Sequence, residues 1–160
     1  IRDGNPKWKP RYRLQIGSKE LVEDLACIGI FQKKAKRLPM PNIPSQYFRH
    51  FVRGYFDGDG NVNFTIQKRK DRPSLGKHLH CVFTSCSKRF LQALMIRLMK
   101  EAGLQGGSLF FSQGAYRLAY VGHDSSLLYK FMYDKVRDIY LKRKQKYFTI
   151  AVHKFRGKFQ

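Results

Sequence analysis

Hydrophobic and polar positions change period several times along this chain, and each change marks an element. Residues 11–17 (RYRLQIG) alternate, the period of a strand. Ser18 then opens a helical stretch with Glu20 and Glu23 early and Gly29 at its end, the layout of a capped helix. Residues 31–38 (FQKKAKRL) are basic and lead into PMPNIP (39–44), a linker or rigid crossover. Pro44 and Ser45 mark a second helix start. From there Phe48, Phe51, Val52, Tyr55 and Phe56 fall at i, i+3, i+4, i+7 and i+8, one face of a helix. NVNFTIQKR (61–69) alternates with Val62, Phe64 and Ile66 on one side. After the turn KDRPSLGK, residues 78–86 alternate again with Leu79, Cys81 and Phe83 apolar. A helix from Ser87 to Gly103 follows, then strands near 108–111 and at 115–121. Asp124 or Ser125 begins a helix to about Tyr133, and a last helix spans about Lys142 to Phe155. From Ser45 the order is α-β-β-α-β-β-α-α, which predicts an α+β fold with one four-stranded antiparallel sheet.

The chain also echoes itself. RYRLQIG at 11–17 and AYRLAYV at 115–121 share YRL, and each is followed by a helix and a basic segment. The order of elements predicts a repeat. Residues 1–38 are then the tail of a first, incomplete unit, 39–44 a linker, and 45–160 a complete unit.

Charge narrows the range of partners. Lys and Arg number 32 against 11 Asp and Glu, a net +21, and they are spread along the chain rather than massed in a tail. A folded basic surface of this kind asks for a polyanion, and nucleic acid is the chief one. A membrane surface is the rival, but no basic amphipathic helix is free of other duties, and no apolar run approaches the ~18 residues of a span. The aromatic content of 14% excludes a disordered polybasic tail. Cys27, Cys81 and Cys86 are odd in number and lack zinc spacing, so reduced thiols and an intracellular setting (cytoplasm, nucleoid or organelle matrix) are expected.

The end of the aromatic-rich helix goes against local physics. Gly54 inside it costs ~1 kcal/mol relative to Ala, which close approach of a second helix would explain. Asp57 and Asp59 stand at its C-terminus, where the helix dipole disfavours each by ~0.3–1 kcal/mol. In a chain with so few acids, that pair points to a bound cation. Gly58 and Gly60 are read as supplying left-handed conformations for the turn into the strand. An EF-hand loop is excluded, because its Gly and bidentate Glu positions are Val62 and Lys68 here. His78 and His80 share a strand face, but no third and fourth ligand has zinc spacing.

The segment Phe51-Val-Arg-Gly-Tyr-Phe-Asp-Gly-Asp-Gly60, with the strand after it and the αββαββα order, resembles the signature of the LAGLIDADG homing endonucleases. The resemblance covers about residues 45–155 as one full repeat and 11–38 as the end of a preceding one. It implies a LAGLIDADG-type unit with a DNA-binding sheet and a site-specific, intron- or intein-encoded endonuclease that cuts double-stranded DNA with Mg²⁺ or another divalent cation. It also implies two paired motif helices. The second motif would come from a missing N-terminal half, a second chain or a homodimer mate. A catalytically silent DNA-binding regulator and an RNA-splicing maturase are the alternatives the family allows.

The same resemblance assigns roles. Gly54, Phe51 and Tyr55 would line the helix seam, and Asp57 would cap the partner helix. Asp59 would bind the metal with help from the Gly58 carbonyl. Lys144, or Lys142, would be the basic residue near the scissile phosphate, with Lys34 at the comparable place in the first copy. Sheet parity agrees on what faces DNA: Asn61, Asn63, Thr65, Gln67 and Arg69, then His78, His80 and Thr84, and Arg117. Arg13 and Gln15 are the candidates on the first-copy strand. Asn and Gln suit adenine edges and Arg suits guanine.

Overall fold

The computed structural model describes residues 13–30, 38–68, 75–137 and 139–155; the side chains of 67, 68, 75, 77 and 151–155 are outside the description. Its elements are α1 (Lys19–Cys27), α2 (Ser45–Asp59), β1 (Asn61–Lys68), β2 (Leu75–Ser85), α3 (Lys88–Ala102), β3 (Ser108–Ser112), β4 (Ala115–Val121), α4 (Gly122–Tyr133) and α5 (Lys142–Phe155). The four strands form one antiparallel sheet in the order β1-β2-β4-β3. The α+β reading and the element order from Ser45 onward hold.

Local chemistry sets the boundaries. Ser18 and Ser87 cap α1 and α3, their hydroxyls accepting from the Leu21 and Phe90 amides. Gly103 ends α3 in the left-handed conformation at φ 67°. Strand β2 starts three residues before the alternating run at 78, and α4 starts at Gly122, ahead of Asp124.

One face of the sheet packs on the helices. Leu79, Cys81, Phe83, Leu118 and Tyr120 alternate inward and meet Phe48, Val52 and Phe56 of α2, Phe90, Leu91, Leu94 and Leu98 of α3, and Phe148 of α5. Aromatic rings dominate the junction. Phe56 packs edge-on to Phe83 and tilted on Phe148, with centroids 5.2 and 5.7 Å apart.

Two expectations fail. Residues 13–17 are not a strand, and Leu14 (87% exposed) and Ile16 (63% exposed) project into solvent. Alternation alone does not make a strand, which needs a neighbour to accept its backbone hydrogen bonds. Arg13 and Gln15 are therefore exposed but not on the sheet. Nor do Gly58 and Gly60 take left-handed conformations: Gly58 lies within α2, and Gly60 has φ −74° and ψ 160°. Gly60 is needed for space, since a Cβ there would lie 2.5 Å from the Phe56 carbonyl oxygen.

Candidate nucleic-acid interface and metal centre

The C-terminus of α2 meets the start of α5 beside β1. An open cleft of about 480 Å³ lies there, lined by Gly58, Gly60, Asn61, Val62, Asn63, Arg143, Lys144 and Tyr147. The two motif carboxylates have different fates. Asp57 Oδ1 accepts the Tyr133 hydroxyl, and Oδ2 accepts the Leu141 amide at 2.8 Å. Asp57 thus holds the start of α5 in its own chain, where a cap on a partner helix was expected. Asp59 is exposed and makes no hydrogen bond or ion pair among the described residues.

Lys144 is 4% exposed. Its Nζ donates to the carbonyl oxygens of Phe56 at 2.6 Å and Gly60 at 2.5 Å, and sits 5.4 Å from the Phe56 ring centroid. Burial first, and the neighbouring Arg143 cation second, lower its pKa, while Asp57 and Asp59 pull it back up. Lys142 is exposed at the first position of α5. The sequence-based preference for Lys144 over Lys142 therefore coincides with the buried lysine that touches the motif. Lys34 lies outside the described residues.

Hard divalent cations take oxygen ligands, and Mg²⁺ keeps several waters. The free Asp59 carboxylate and the Gly58 backbone fit one side of such a site. Among the described residues no three His, Cys, Asp or Glu side chains gather into a ligand set.

The solvent face of the sheet carries the predicted positions in register. Asn63 pairs with His80, Thr65 with His78, and Thr84 with Arg117. Asn61, Asn63 and His80 are exposed, while Thr65, His78, Thr84 and Arg117 are half-buried, the last donating to Gln113. Arg69 and the side chain of Gln67 lie outside the description. The prediction did not include the apolar members of this face. Val82 pairs with Ala119, His80 with Val121, and Phe110 with Arg117; Phe110 and Val121 are 45% and 55% exposed. Extending the parity rule past the polar residues would have found them.

Of the three residues expected at a seam, only Gly54 is open, with nothing among the described residues within 4 Å of where its Cβ would be. Tyr47 and His50 are also exposed on α2. Phe51 and Tyr55 pack inside the chain against Phe90 and Phe83, and the Tyr55 hydroxyl donates to the Thr84 carbonyl at 2.6 Å. Burial pushes the Tyr55 pKa up to about 12. Two other features also escaped the sequence. Arg53 is 5% exposed among backbone carbonyls, and Tyr147 with Arg143 lines the cleft.

The α+β arrangement with one four-stranded antiparallel sheet matches the fold of the LAGLIDADG homing endonucleases. No family model and no curated protein matches the sequence. Solved structures do match the fold. The archaeal intron-encoded homing endonuclease I-Vdi141I, complexed with DNA, aligns over 71% of this chain and 72% of its own at 16% identity and TM-score 0.52. Homing endonuclease I-CvuI, in complex with the I-CreI target, aligns over 68% of this chain at 15% identity and TM-score 0.50, and this chain spans 66% of it. The K262A mutant of I-SmaMI aligns over 88% of this chain but 47% of its own, at 18% identity and TM-score 0.51.

Proposed function

We propose that this chain is one catalytic half of a site-specific, divalent-metal-dependent DNA endonuclease. The observation that carries the reading is the split between the motif acids: Asp57 is consumed within the chain, and Asp59 is left free beside a buried lysine. The solved neighbours are homing endonucleases, two of them complexed with DNA.

In this reading Asp59 and the Gly58 carbonyl hold Mg²⁺ or another divalent cation. Bound there, the cation polarises the phosphate and lowers the pKa of the attacking water. An ammonium has three donors. The two that Lys144 gives to Phe56 and Gly60 fix its position, and the third is left for the phosphate, where its charge stabilises the transition state. Asn61, Asn63, Thr65, His78, His80, Thr84 and Arg117 read base edges, and Val82, Ala119, Val121 and Phe110 meet thymine methyl groups. The surplus of positive charge holds the backbone phosphates. The second carboxylate comes from another LAGLIDADG motif against Gly54, supplied by a preceding half, a second chain or a homodimer mate. An intracellular setting and an intron or intein origin complete the reading.

The test is cleavage of a randomised-site DNA library with Mg²⁺, wild type beside Asp59→Asn, with the binding of each measured in parallel. Metal-dependent cuts at one enriched site, lost in the variant while binding persists, are the expected result. Selective binding without cuts by a protein that carries both motifs would replace the endonuclease with a DNA-binding regulator.

A further inference from the structure

Three side chains on one stripe of α2, four residues apart, fasten the connection between α4 and α5. Arg49 donates through Nη2 to the Asp134 carbonyl at 2.5 Å. Arg53 donates through Nη1 to the Met132 carbonyl and through Nε to the Ile139 carbonyl, each at 3.2 Å. Asp57 accepts from Tyr133 and from the Leu141 amide. Arg53 Nη2 also meets His50 Nδ1 within α2 at 3.0 Å. Of the bonds that reach the α4–α5 connection, every one but the Tyr133 one ends on backbone, so the stripe grips the path of the chain itself.

Three residues beyond Leu141 stands Lys144. Helix α5 is anchored one turn further on by Phe148, fully buried against Phe56, Tyr129 and Tyr133. A helix pinned at one side chain can still tilt or fray at its start, because its first backbone amides have no partner within the helix. The Asp57 bond to the Leu141 amide, and the Arg53 bond to Ile139 just before it, remove that freedom.

We infer that Arg49, Arg53 and Asp57 form a latch that sets where α5 begins and so holds Lys144 Nζ against the end of the motif helix. Arg53 is its central member and acts as a positioning residue: it touches no reacting group and works through Lys144. The inference rests on the reading of Lys144 as the reaction-site cation for its catalytic consequence. The geometric part stands without it.

The experiment reads position and catalysis separately. Arg53→Met keeps length and apolar contact but removes every donor, and Arg53→Lys keeps a charge and a shorter donor. Folded protein is treated with an amine-acylating reagent, and modification at Lys144 is followed by peptide mass mapping. In parallel, a thiol reagent reports on Cys81, which is fully buried in the core. The latch predicts that Arg53→Met raises Lys144 modification about ten-fold or more, the scale of losing hydrogen bonds to a charged group. Arg53→Lys should fall between it and wild type, and Cys81 should stay protected. General loosening would expose Lys144 and Cys81 together, and that result overturns the latch, as does unchanged Lys144 protection. If Arg53→Met does not fold, Arg49→Met at the outer end of the stripe takes its place under the same criteria.

On cleavage, Arg53→Met should lower the single-turnover rate with little change in DNA affinity, toward the level of Lys144→Gln. A Lys144→Gln protein that cleaves like wild type would refute the role proposed for Lys144, while the labelling result would still decide the latch.

Discussion

Gly60 shows how one residue can be read correctly as special and wrongly as to why. Its place at a helix end suggests a left-handed turn, yet its φ is −74°. What excludes a side chain is the Phe56 ring and carbonyl, both 2.5 Å from where a Cβ would sit. Backbone cannot yield as a flexible side chain can, so Gly60→Ala should destabilise the protein by about 1–3 kcal/mol, the range for forced overpacking. Gly58, two residues earlier, meets nothing within 4 Å and sits in the last turn of α2. Gly58→Ala should therefore leave stability unchanged or raise it, by at most ~1 kcal/mol. Urea denaturation of the two variants checks the opposite signs. Equal effects would mean that the contact with Phe56 is not what constrains Gly60. The sequence singles out both glycines, but the distinction between them depends on where Phe56 turns inward, a tertiary fact. Asp57 and Asp59 are similar. The pair was legible as anomalous, whereas its division into a held acid and a free one depends on Tyr133 and Leu141, more than 70 residues away.

Helix α2 carries three functions on three sides. Phe48, Val52 and Phe56 enter the core, Arg49, Arg53 and Asp57 grip the α4–α5 connection, and Gly54 lies open with His50 and Tyr47. The core stripe was readable because apolar spacing of three and four is the strongest local signal of a helix. The gripping stripe was not, because arginines in a chain this basic look like surface charge until their partners are known. The strands behaved similarly. Parity puts Asn63, His80, Thr84 and Arg117 on one face, and the register, which pairs Asn63 with His80 and Thr84 with Arg117, agrees with that face. The alternation at 11–17 misled, since no strand among the described residues pairs with 13–17. The open side of α2 yields a prediction at this scale. Gly54 costs the helix ~1 kcal/mol, and nothing among the described residues lies within 4 Å of where its Cβ would be. Gly54→Ala should raise the thermal stability of the separate chain, and Gly54→Leu should at least not lower it. Both should weaken association with a second motif, and the cleavage that depends on it, with Leu the worse. Sedimentation beside melting curves would show this. Variants that gain stability and lose no association would remove Gly54 from the seam.

At the scale of the whole molecule the dominant fact is the charge of +21 on 160 residues. The 11 acids are too few to offset 32 Lys and Arg, and some of them have local partners. Glu101 and Glu23 pair within their own helices, Asp57 is held by Tyr133 and Leu141, and Asp124 accepts from the Gln105 and Gly106 amides. The folded chain therefore repels itself, and compactness works against charge. Added sodium chloride shortens the range of that repulsion to about 10 Å at 0.1 M, which is less than the width of the domain. The melting temperature of the free protein should accordingly rise with sodium chloride. Binding to DNA should move the other way. A surface that neutralises several phosphates releases their counterions, and six to ten such contacts lose about 10³–10⁵ in affinity between 50 and 200 mM salt. The two slopes test one cause from opposite sides. Chloride is the right anion, because sulfate and phosphate would bind basic clusters and strengthen apolar burial as well. A melting temperature that stays flat while DNA affinity falls would mean that the positive charge is already spread widely enough to cost the fold nothing. A binding constant that hardly responds would mean that phosphate contacts are few, and the basic surface would then need a partner other than duplex DNA.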